Sequence, residues 1–378
     1  MNTWRRLPCK ISEVNLGILL ACGQSFRWRE THPGEWTGAL SGYVWTLSQT
    51  DDSILYKVYE QSDKRKTALY TSVKKSAKQN HRKRSKDIKE EQNDQPDAKQ
   101  PKLLTSIKQE VEIGGGDSVK NEMKIEPTCN DLGNFYNSIL HDYFQLDVDL
   151  QQLYTQWSKA DKNFKKVSVD FSGIRMLRQN PVENLFSFIC SSNNHISRIS
   201  GMVERLCETY GKPITEVGGV MYYAFPDVKS LAGNNVEQKL RELGFGYRAK
   251  YISETAKYIV KNHSEEWLYS LRDVPYDEAK AQLVKLHGVG AKVADCVCLM
   301  SLDKIGAIPV DTHVWQIASR DYMKGLKQGK TLTDKVYKEI GDHFRELWGP
   351  YAGWAHSVLF SADLKKFQDK KSPKKTGK

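Results

Sequence analysis

Apolar and polar residues alternate in three short runs near the N-terminus of the chain. The runs cover residues 36–40, 43–48 and 54–59. Turn-forming residues separate them, including Pro33-Gly34. An alternation with a period of two between turns is typical of strands that bury one face. The pattern therefore predicts an antiparallel sheet in residues 4–60.

Beyond about residue 171, apolar residues recur at intervals of three and four positions. Ile199, Met202, Val203 and Leu206 form one such stripe, which predicts a helix over residues 197–210. Further helices are predicted at 181–193, 236–243, 251–262, 276–286, 292–301 and 314–322. Strands and helices do not alternate along the chain. We therefore expect an α+β protein in which an N-terminal antiparallel-sheet domain precedes an all-α array.

Composition changes sharply between these two regions. Residues 64–89 carry 11 Lys and Arg and one acid, residues 90–131 carry ten acids and five Lys, and Tyr70 is the only aromatic residue of 61–131. Such a segment cannot bury enough apolar surface to offset its chain entropy, so we expect it to be disordered. The predicted organisation is an N-terminal domain in two parts, 1–60 and 132–170, around a disordered insert, 61–131, followed by a helical region, 171–364, and a basic disordered tail, 365–378.

The 378 residues carry a formal net charge of +11, and most of that charge lies outside the predicted folded regions. Residues 61–131 hold 16 Lys and Arg against 12 Asp and Glu, and residues 365–378 hold seven Lys against one Asp. These segments favour acidic partners, but charge alone does not show that the folded part binds nucleic acid. No apolar run approaches the roughly 20 residues of a membrane span, and seven cysteines, an odd number, argue against a disulfide scaffold. We expect an intracellular protein that does not enter a membrane.

A segment between two predicted helices carries the clearest chemical signal. In residues 286–295, Gly288 and Gly290 form a tight turn, and the N–H groups at the start of the next helix make an anion site suited to a DNA phosphate. Lys292 lies in the first turn of that helix, where the helix dipole disfavours an ammonium, and a lysine nucleophile must be neutral. Asp311 follows at the start of the next predicted helix. Taken singly, these residues also fit a plain helix end, a surface lysine and a helix cap.

Together, the hairpin, Lys292 and the segment 309–311 resemble the helix-hairpin-helix-Gly/Pro-Asp superfamily of DNA glycosylases. Longer segments are similar to its eukaryotic 8-oxoguanine DNA glycosylases. These segments are Gly23-Gln24-Ser25-Phe26-Arg27-Trp28 and residues 186–194, 244–249, 293–300 and 348–355. The resemblance covers residues 4–60 and about 134–364. It implies a base excision repair enzyme that flips 8-oxoguanine, or formamidopyrimidine-guanine, out of a duplex opposite cytosine, excises it and nicks the strand by β-elimination, with no cofactor.

The resemblance also assigns roles to single residues. Lys292 matches the nucleophile that attacks C1′ of the sugar and forms a Schiff base, and Asp311 matches the carboxylate that supports the cationic transition state. Gly23 matches the glycine whose carbonyl accepts the N7–H that distinguishes the lesion from guanine. The base pocket implied is completed by Cys296, Met300, His356 and Phe360. The residues implied to contact the opposite cytosine or DNA are Asn193, Arg198, Tyr247, Arg248, Gly288, Gly290 and His313, the last oriented by Asp363.

Three histidines depart from the family pattern. His287 stands where the hairpin usually has proline, and His195 replaces the last residue of an Asn-Asn-Asn run. His356 stands where the pocket has a glutamine that contacts the Watson–Crick edge of the base. A neutral imidazole can donate one hydrogen bond and accept one, but it can also be protonated. Base selectivity and its pH dependence therefore stay open at this point.

Three other kinds of protein share parts of the pattern. An iron–sulfur relative would need four cysteines after the Asp311 segment, but no cysteine follows Cys298, so no metal is implied. An enzyme for a different lesion is disfavoured by Asn193, Arg248 and Phe360 together. A catalytically silent DNA-binding protein on the same fold remains the alternative, although the presence of both Lys292 and Asp311 argues against it.

Short basic and acidic motifs in the insert and tail suggest partners other than DNA. Basic clusters at 74–75, 82–84 and 370–375 resemble nuclear-localisation signals, which indicates a nuclear protein that binds an import receptor, although they also fit a basic arm that adds salt-sensitive DNA affinity. Residues 107–110 and 123–126 resemble acceptor sites for the SUMO machinery at Lys108 and Lys124. We expect a monomer.

Overall fold

The structure is a computed structural model that describes residues 3–60, 129–264, 266–326 and 332–370. Most of the predicted insert 61–131 and the last eight residues of the predicted tail lie outside these residues, and so do both SUMO-like motifs and nearly all of the basic clusters. In the part described, no helix is long and apolar enough to cross a membrane, and no three His, Cys, Asp or Glu side chains are grouped to hold a metal ion.

Five antiparallel strands form a sheet near the N-terminus. They are β1 (Arg5–Pro8), β2 (Trp28–His32), β3 (Glu35–Leu40), β4 (Tyr43–Gln49) and β5 (Ser53–Tyr59), in the spatial order β1-β5-β4-β3-β2, with a short helix α1 (Leu16–Leu19) between the first two. The three strands predicted from alternation are confirmed as β3, β4 and β5. The strands β1 and β2 lie at the edges, where few side chains are buried, so they lack the apolar alternation that reveals a strand.

A two-residue turn sets the register between β3 and β4. Ser41 and Gly42 both have positive φ, 52° and 79°, which is the geometry of hairpin turns that match the twist of the strands. In this register Gly38 lies opposite Trp45. Gly38 has no room for a side chain, because a Cβ there would lie 2.7 Å from the Trp28 ring. The sheet can therefore pack two indoles beside one bare backbone position.

The chain returns to the same sheet after the insert. Helix α2 (Cys129–Tyr143) begins inside the last residues predicted to be disordered. The Tyr136 ring on this helix meets the Trp45 ring edge to face at 5.7 Å, and the Tyr56 hydroxyl donates to Asn137 Oδ1 at 2.7 Å. The segments before and after the insert thus belong to one compact unit, as the return of aromatic residues predicts.

The helical region follows the predicted pattern closely. Two further helices, α3 (Leu150–Ala160) and α4 (Lys162–Val167), precede it in the chain. Its own helices are α5 (Pro181–Ile189), α6 (Ile196–Tyr210), α7 (Val236–Glu242), α8 (Arg248–Asn262), α9 (Trp267–Ser270), α10 (Tyr276–Leu283), α11 (Ala291–Ser301), α12 (Thr312–Ile317), α13 (Asp334–Trp348) and α14 (Ala352–Asp363). The predicted helix 314–322 is divided, because α12 gives way to a π-helical turn at Ala318–Tyr322. One continuous apolar core joins these helices to the sheet.

A small hairpin interrupts the helices and was not predicted. Its strands β6 (Pro213–Val217) and β7 (Val220–Tyr223) are joined by Gly218 and Gly219, which both have positive φ. Ile214 and Tyr222 of this hairpin pack on Ala39 and Val44 of the larger sheet. Because the strands have four or five residues and several exposed positions, their alternation is too short to separate from loop sequence.

A buried arginine joins the N-terminal segment to the loops around α3. The Arg175 side chain is fully buried and ion-pairs with Glu13 at 2.7 Å. Its guanidinium also donates to the backbone carbonyls of Glu13, Phe144, Gln145 and Val148, at 2.6 to 3.1 Å. These four carbonyls lie in loops, outside the helices and strands. The buried guanidinium therefore holds the loops in one arrangement.

We expect Arg175→Met to lower the free energy of unfolding by about 3–5 kcal/mol, because it leaves the Glu13 carboxylate and several loop carbonyls without their donor. Urea denaturation measures the change. Arg6→Met is the matched control: Arg6 pairs with Asp52 at 2.6 Å, but both side chains are more than half exposed, so a loss below about 1 kcal/mol is expected. Equal losses in the two variants would contradict this account of Arg175.

Candidate functional site

The turn between α10 and α11 is a tight hairpin built on two glycines. Gly288 has φ +75°, and a Cβ there would lie 2.4 Å from the Tyr251 ring, so no other residue fits without moving that ring. Gly290 is the N-cap of α11 and faces open space, which leaves the first N–H groups of the helix accessible. The predicted helix-hairpin-helix is confirmed, and its second helix begins with an anion-binding terminus.

His287 occupies the hairpin position that is usually proline. Its backbone carbonyl accepts a hydrogen bond from Thr255 Oγ1 at 2.9 Å. That bond ties the turn to α8, which also carries the Tyr251 ring beneath Gly288. The hairpin is therefore held by contacts with α8 rather than by a proline ring.

A groove beside the hairpin brings together residues predicted to contact DNA. Its lining includes Ser192, Tyr247, Tyr251, Leu286, Gly288 and Gly290. The Tyr247 side chain is 46% exposed, and its hydroxyl donates to the Ser192 carbonyl at 3.0 Å. A large aromatic ring held in an exposed position on a concave surface is suited to stacking against a nucleic acid base.

Arg248 lies behind Tyr247 and is itself almost completely buried. Its guanidinium sits 4.5 Å from the centroid of the Tyr247 ring, and Nη2 donates to the carbonyls of Ser192 and Asn193. Asn193 has φ +46°, a conformation that asparagine tolerates better than most residues, and it is exposed. The structure thus brings Asn193, Tyr247 and Arg248 into one cluster, although they come from two distant segments.

Arg198 is exposed in the first turn of α6, next to this cluster in sequence. Its backbone N–H donates to the Nδ1 atom of His195, which is the N-cap of the helix, at 3.4 Å. The imidazole of His195 therefore does the capping that an asparagine at this position would do. The substitution keeps the start of α6, and with it the placement of Arg198.

Lys292 extends from the first turn of α11 toward the end of α5. Its Nζ atom lies 3.4 Å from Ser191 Oγ and 5.0 Å from the centroid of the Phe188 ring. The side chain is only partly buried, so the amine stands at the edge of the core and not inside it. Neither Ser191 nor Phe188 was singled out in the sequence, because their contact with Lys292 depends on how two helices pack.

Asp311 begins α12 and caps it. Its Oδ1 atom accepts a hydrogen bond from the Val314 N–H at 2.9 Å, so the predicted N-cap is confirmed. An N-cap fixes the carboxylate at the positive end of the helix, where its negative charge is stabilised. The carboxylate is therefore held in one place by the helix that it starts.

Cys296 lies close enough to Lys292 and Asp311 to be influenced by both. Burial raises the pKa of the Cys296 thiol to about 11, the Lys292 ammonium opposes that shift, and the Asp311 carboxylate adds to it. At neutral pH the thiol is thus uncharged. It offers an apolar surface near these two groups, and its role as a wall of a base pocket stays a prediction.

His356 is influenced by the same two groups and is deeply buried on α14. Burial lowers the pKa of the imidazole to about 4, and the Lys292 charge lowers it further while the Asp311 carboxylate opposes the shift. No side chain among the described residues bonds either ring nitrogen, and the Gly353 backbone is the one hydrogen-bonding group close enough to favour the protonated form. A neutral imidazole placed in this way keeps a ring nitrogen available to a ligand, since an unpaired buried polar atom is otherwise costly.

Phe360 lies one turn beyond His356 on the same helix and forms an aromatic wall. Its ring centroid is 6.1 Å from that of His356 and 6.0 Å from that of His313, which it meets edge to face. The predicted pairing of His313 with Asp363 is not seen among the described residues, where the Asp363 carboxylate accepts from Arg320 Nη1 at 3.1 Å. The His313 ring instead contacts the Phe360 ring.

The loop that carries Gly23 is anchored on the other side of the pocket. Gly23 has φ +88°, and a Cβ there would come within 3.0 Å of Ile196. The next residue, Gln24, is buried and bonded at both ends of its amide, to the Arg175 carbonyl and the Leu177 N–H, each at 3.0 Å. Met300, the remaining predicted pocket residue, is buried on the last turns of α11.

Comparison with known proteins matches most of the chain to two families. Residues 6–185 match the family described as 8-oxoguanine DNA glycosylase, N-terminal domain, and residues 186–346 match the HhH-GPD superfamily base excision DNA repair proteins. The two matches meet within one residue and leave out only the ends of the chain.

Individual relatives agree with these families. An N-glycosylase/DNA lyase of Saccharomyces cerevisiae is 44% identical over 272 residues, which cover 65% of this chain and 72% of that protein. An N-glycosylase/DNA lyase of Arabidopsis thaliana is 42% identical over 227 residues, 60% of this chain and 61% of that protein. Among solved structures, the 8-oxoguanine glycosylase/lyase of Clostridium acetobutylicum, in complex with duplex DNA containing cytosine opposite 8-oxoguanine, has a TM-score of 0.66 at 25% identity, covering 94% of this chain and 92% of that one.

We expect Gly288→Ala to destabilise the protein by about 1–3 kcal/mol, because alanine would be strained at this φ and its Cβ would push the Tyr251 ring away. Thermal unfolding measures the change. Gly290→Ala is the control, since Gly290 has a negative φ and open space around it, and its loss should be clearly smaller. A larger loss in Gly290→Ala would mean that the hairpin does not depend on the contact with Tyr251.

We expect His356→Gln to reduce the loss of unfolding free energy that the wild type shows at acidic pH. In the folded protein the pKa of His356 lies below its ordinary value of 6.5. Above pH 6.5 the protein therefore keeps the full stability that this group contributes, and it loses that stability as the pH falls toward 4. The reason is that the unfolded chain then binds a proton that the folded protein excludes. Between these values the wild type should lose about 1.4 kcal/mol per pH unit relative to the variant. Urea denaturation across this pH range measures the difference, with His32→Gln, at an exposed histidine, as the control. Parallel curves for the wild type and His356→Gln would contradict the lowered pKa of His356.

Proposed function

The chain belongs to the 8-oxoguanine DNA glycosylase family of the HhH-GPD superfamily, and from that premise we propose that it excises 8-oxoguanine opposite cytosine and then cleaves the strand as an AP lyase. The single observation that supports this activity most strongly is that Lys292 and Asp311 both act electrostatically on the buried Cys296 and His356, beside a helix-hairpin-helix turn. This arrangement suits a base that has been flipped out of the duplex.

Lys292 is the proposed nucleophile. Its neutral amine attacks C1′ of the flipped nucleotide, the bond from C1′ to the base nitrogen breaks, and the base leaves with the electron pair and takes up a proton. The C1′–O4′ bond then breaks, O4′ takes up a proton, and the nitrogen lone pair forms a protonated Schiff base with C1′. Removal of a proton from C2′ then expels the 3′ phosphate, which is the lyase step. Each of these steps needs a group that accepts or delivers a proton. The departing base is such a group, and the first step itself supplies it.

Asp311 is proposed to stabilise the positive charge that develops on the sugar as the base departs. Its carboxylate is fixed as the N-cap of α12, so it does not need to reorganise when the charge appears. A carboxylate held in this way stabilises the transition state more than the neutral substrate, which is the requirement for catalysis.

Recognition of the lesion is assigned to the pocket walls. The carbonyl of Gly23 would accept the N7–H of 8-oxoguanine, whereas guanine presents a lone pair there, a difference of about 1–3 kcal/mol. Cys296 and Phe360 would sandwich the base, and Met300 would close the pocket. The imidazole of His356, which no described side chain bonds, would bond the Watson–Crick edge in place of an amide.

Recognition of the partner strand is assigned to the groove. Arg198, Arg248 and Asn193 offer donors and an amide oxygen that match an orphaned cytosine, and Tyr247 would fill the gap left by the flipped base. The N–H groups after Gly290 would bind a phosphate, and His313 would make a second contact on the phosphate side. A duplex with cytosine opposite the lesion is therefore the proposed partner.

The proposed domain organisation keeps the sheet as support for this site. Residues 1–60 and 132–170 form one part around the insert, and residues 171–364 form the helical part. Contacts of α2 with β4 and β5 support the first, and the Gly23 loop reaches the second through Gln24. A nuclear location, and binding of an import receptor or SUMO machinery by the insert and tail, remain proposals that rest on short sequence motifs alone.

We expect borohydride to trap the wild type on duplex DNA that carries 8-oxoguanine opposite cytosine, with a weaker band opposite adenine. Lys292→Gln should give no band, because an amide cannot form the Schiff base that borohydride reduces. Electrophoresis of the covalent complex measures both. Lys285→Gln, which changes an exposed lysine just before the hairpin, should be trapped as well as the wild type.

Binding of the same duplex is measured in parallel. A wild type that binds the lesion duplex but is never trapped would establish the alternative, a catalytically silent or different-lesion DNA-binding protein. A trapped band that persists in Lys292→Gln would show that another amine is the nucleophile.

A further inference from the structure

A buried carboxylate lies on α11 one turn beyond Lys292. Asp295 has no exposed surface, although it stands in a helix whose other positions beyond the first turn are apolar or small. Its Oδ1 atom accepts from the Tyr276 hydroxyl at 2.7 Å, and its Oδ2 atom accepts from Lys280 Nζ at 2.9 Å and from the Tyr337 hydroxyl. Every donor around this carboxylate therefore comes from α10 or α13, the helices on either side of α11.

The network is complete enough to hold an ionised carboxylate in the core. Lys280 supplies the opposite charge and is 25% exposed, and the two hydroxyls supply further hydrogen bonds. Burial and the Asp295 charge both raise the pKa of Tyr276 and of Tyr337, so each phenol stays protonated and keeps its role as donor. The carboxylate and the two phenols are thus locked in one arrangement.

Tyr337 also reaches the segment that carries Asp311. Its hydroxyl oxygen accepts a hydrogen bond from the Val310 N–H at 3.3 Å while the hydroxyl proton points to Asp295. Val310 directly precedes Asp311, and it is buried. A continuous chain of hydrogen bonds thus runs from the backbone beside Asp311, through one phenol, to the helix that carries Lys292.

We propose that Tyr337 is a positioning residue, which sets the distance between the Lys292 amine and the Asp311 carboxylate by joining α11 to the segment before α12. The proposal rests on the proposed function of these two groups. They come from different elements, 19 positions apart in the chain, and a displacement of about 1 Å between reacting groups can change a rate by up to 100-fold. The hydrogen bonds of Tyr337 go to Asp295 and to the backbone of Ile308 and Val310 and not to Lys292, so its effect passes through the backbone.

Tyr276 provides the matched comparison. It donates to the other oxygen of the same carboxylate, at 2.7 Å, and its hydroxyl is also 3.2 Å from Lys280 Nζ. Its recorded contacts do not include the Val310 segment. Tyr276→Phe therefore removes a hydroxyl from Asp295 without removing the bridge, whereas Tyr337→Phe removes both.

The test measures single-turnover excision of 8-oxoguanine opposite cytosine by the full chain in excess, together with duplex affinity and thermal stability. Tyr337→Phe should slow excision about 10-fold at saturating enzyme and leave the Kd for the duplex within about two-fold. Tyr276→Phe should lose similar stability and keep the wild-type rate within about two-fold. Amide hydrogen exchange of the peptide around Val310 should accelerate in Tyr337→Phe only.

Several results would overturn the proposal. One is an unchanged excision rate in Tyr337→Phe, another is an equal slowing in both variants, and a third is a defect confined to DNA affinity. If Tyr337→Phe does not fold, Asp295→Asn keeps both phenols and weakens the bond to Tyr337, and it should show the same loss of rate at unchanged affinity; a normal rate in that variant overturns the proposal too. A wild type that does not excise the lesion refutes the proposed function instead, so the two failures are distinguishable.

Discussion

The burial of α11 is the constraint on which the rest of the structure depends. Every residue from Val293 to Ser301 is buried, while Lys292 at the first turn reaches the edge of the core. A helix that is covered on all sides cannot rotate or slide without opening cavities, so the position of its first turn is fixed by packing. The position of Lys292, the proposed nucleophile, is therefore set by apolar contacts along the rest of α11.

The glycines of the hairpin follow from the same constraint. Since α11 is fixed, the chain that enters it must pass close to α8, and Gly288 leaves room for the Tyr251 ring that supports the turn. The absence of a side chain at Gly290 then exposes the helix N–H groups to solvent. One packing requirement therefore produces both a rigid turn and an anion site, and DNA can be held at the entrance of the helix that carries Lys292.

Burial keeps two polar groups of the site uncharged. Cys296 and His356 both stay neutral, because burial raises the pKa of an acid and lowers the pKa of a base. The apolar surroundings would strengthen the interaction of Asp311 with a substrate that develops positive charge. His356 adds polarity without charge, as an amide at the same position would.

The sequence by itself determined the three central strands, the helical region and the hairpin with Lys292 and Asp311, because periodicity and local motifs record which faces are buried and which turns need glycine. The other residues of the proposed site were implied by the resemblance to a known family. The sequence could not reveal β1, β2 or the hairpin of β6 and β7, whose exposed side chains leave no alternation. Only the tertiary structure decided that Asp363 pairs with Arg320, that Ser191 lies beside Lys292, and that Tyr337 joins Asp295 to the Asp311 segment. The physical reason is that these contacts join residues distant in the chain, and a side chain's partner depends on how helices pack, which no local pattern encodes.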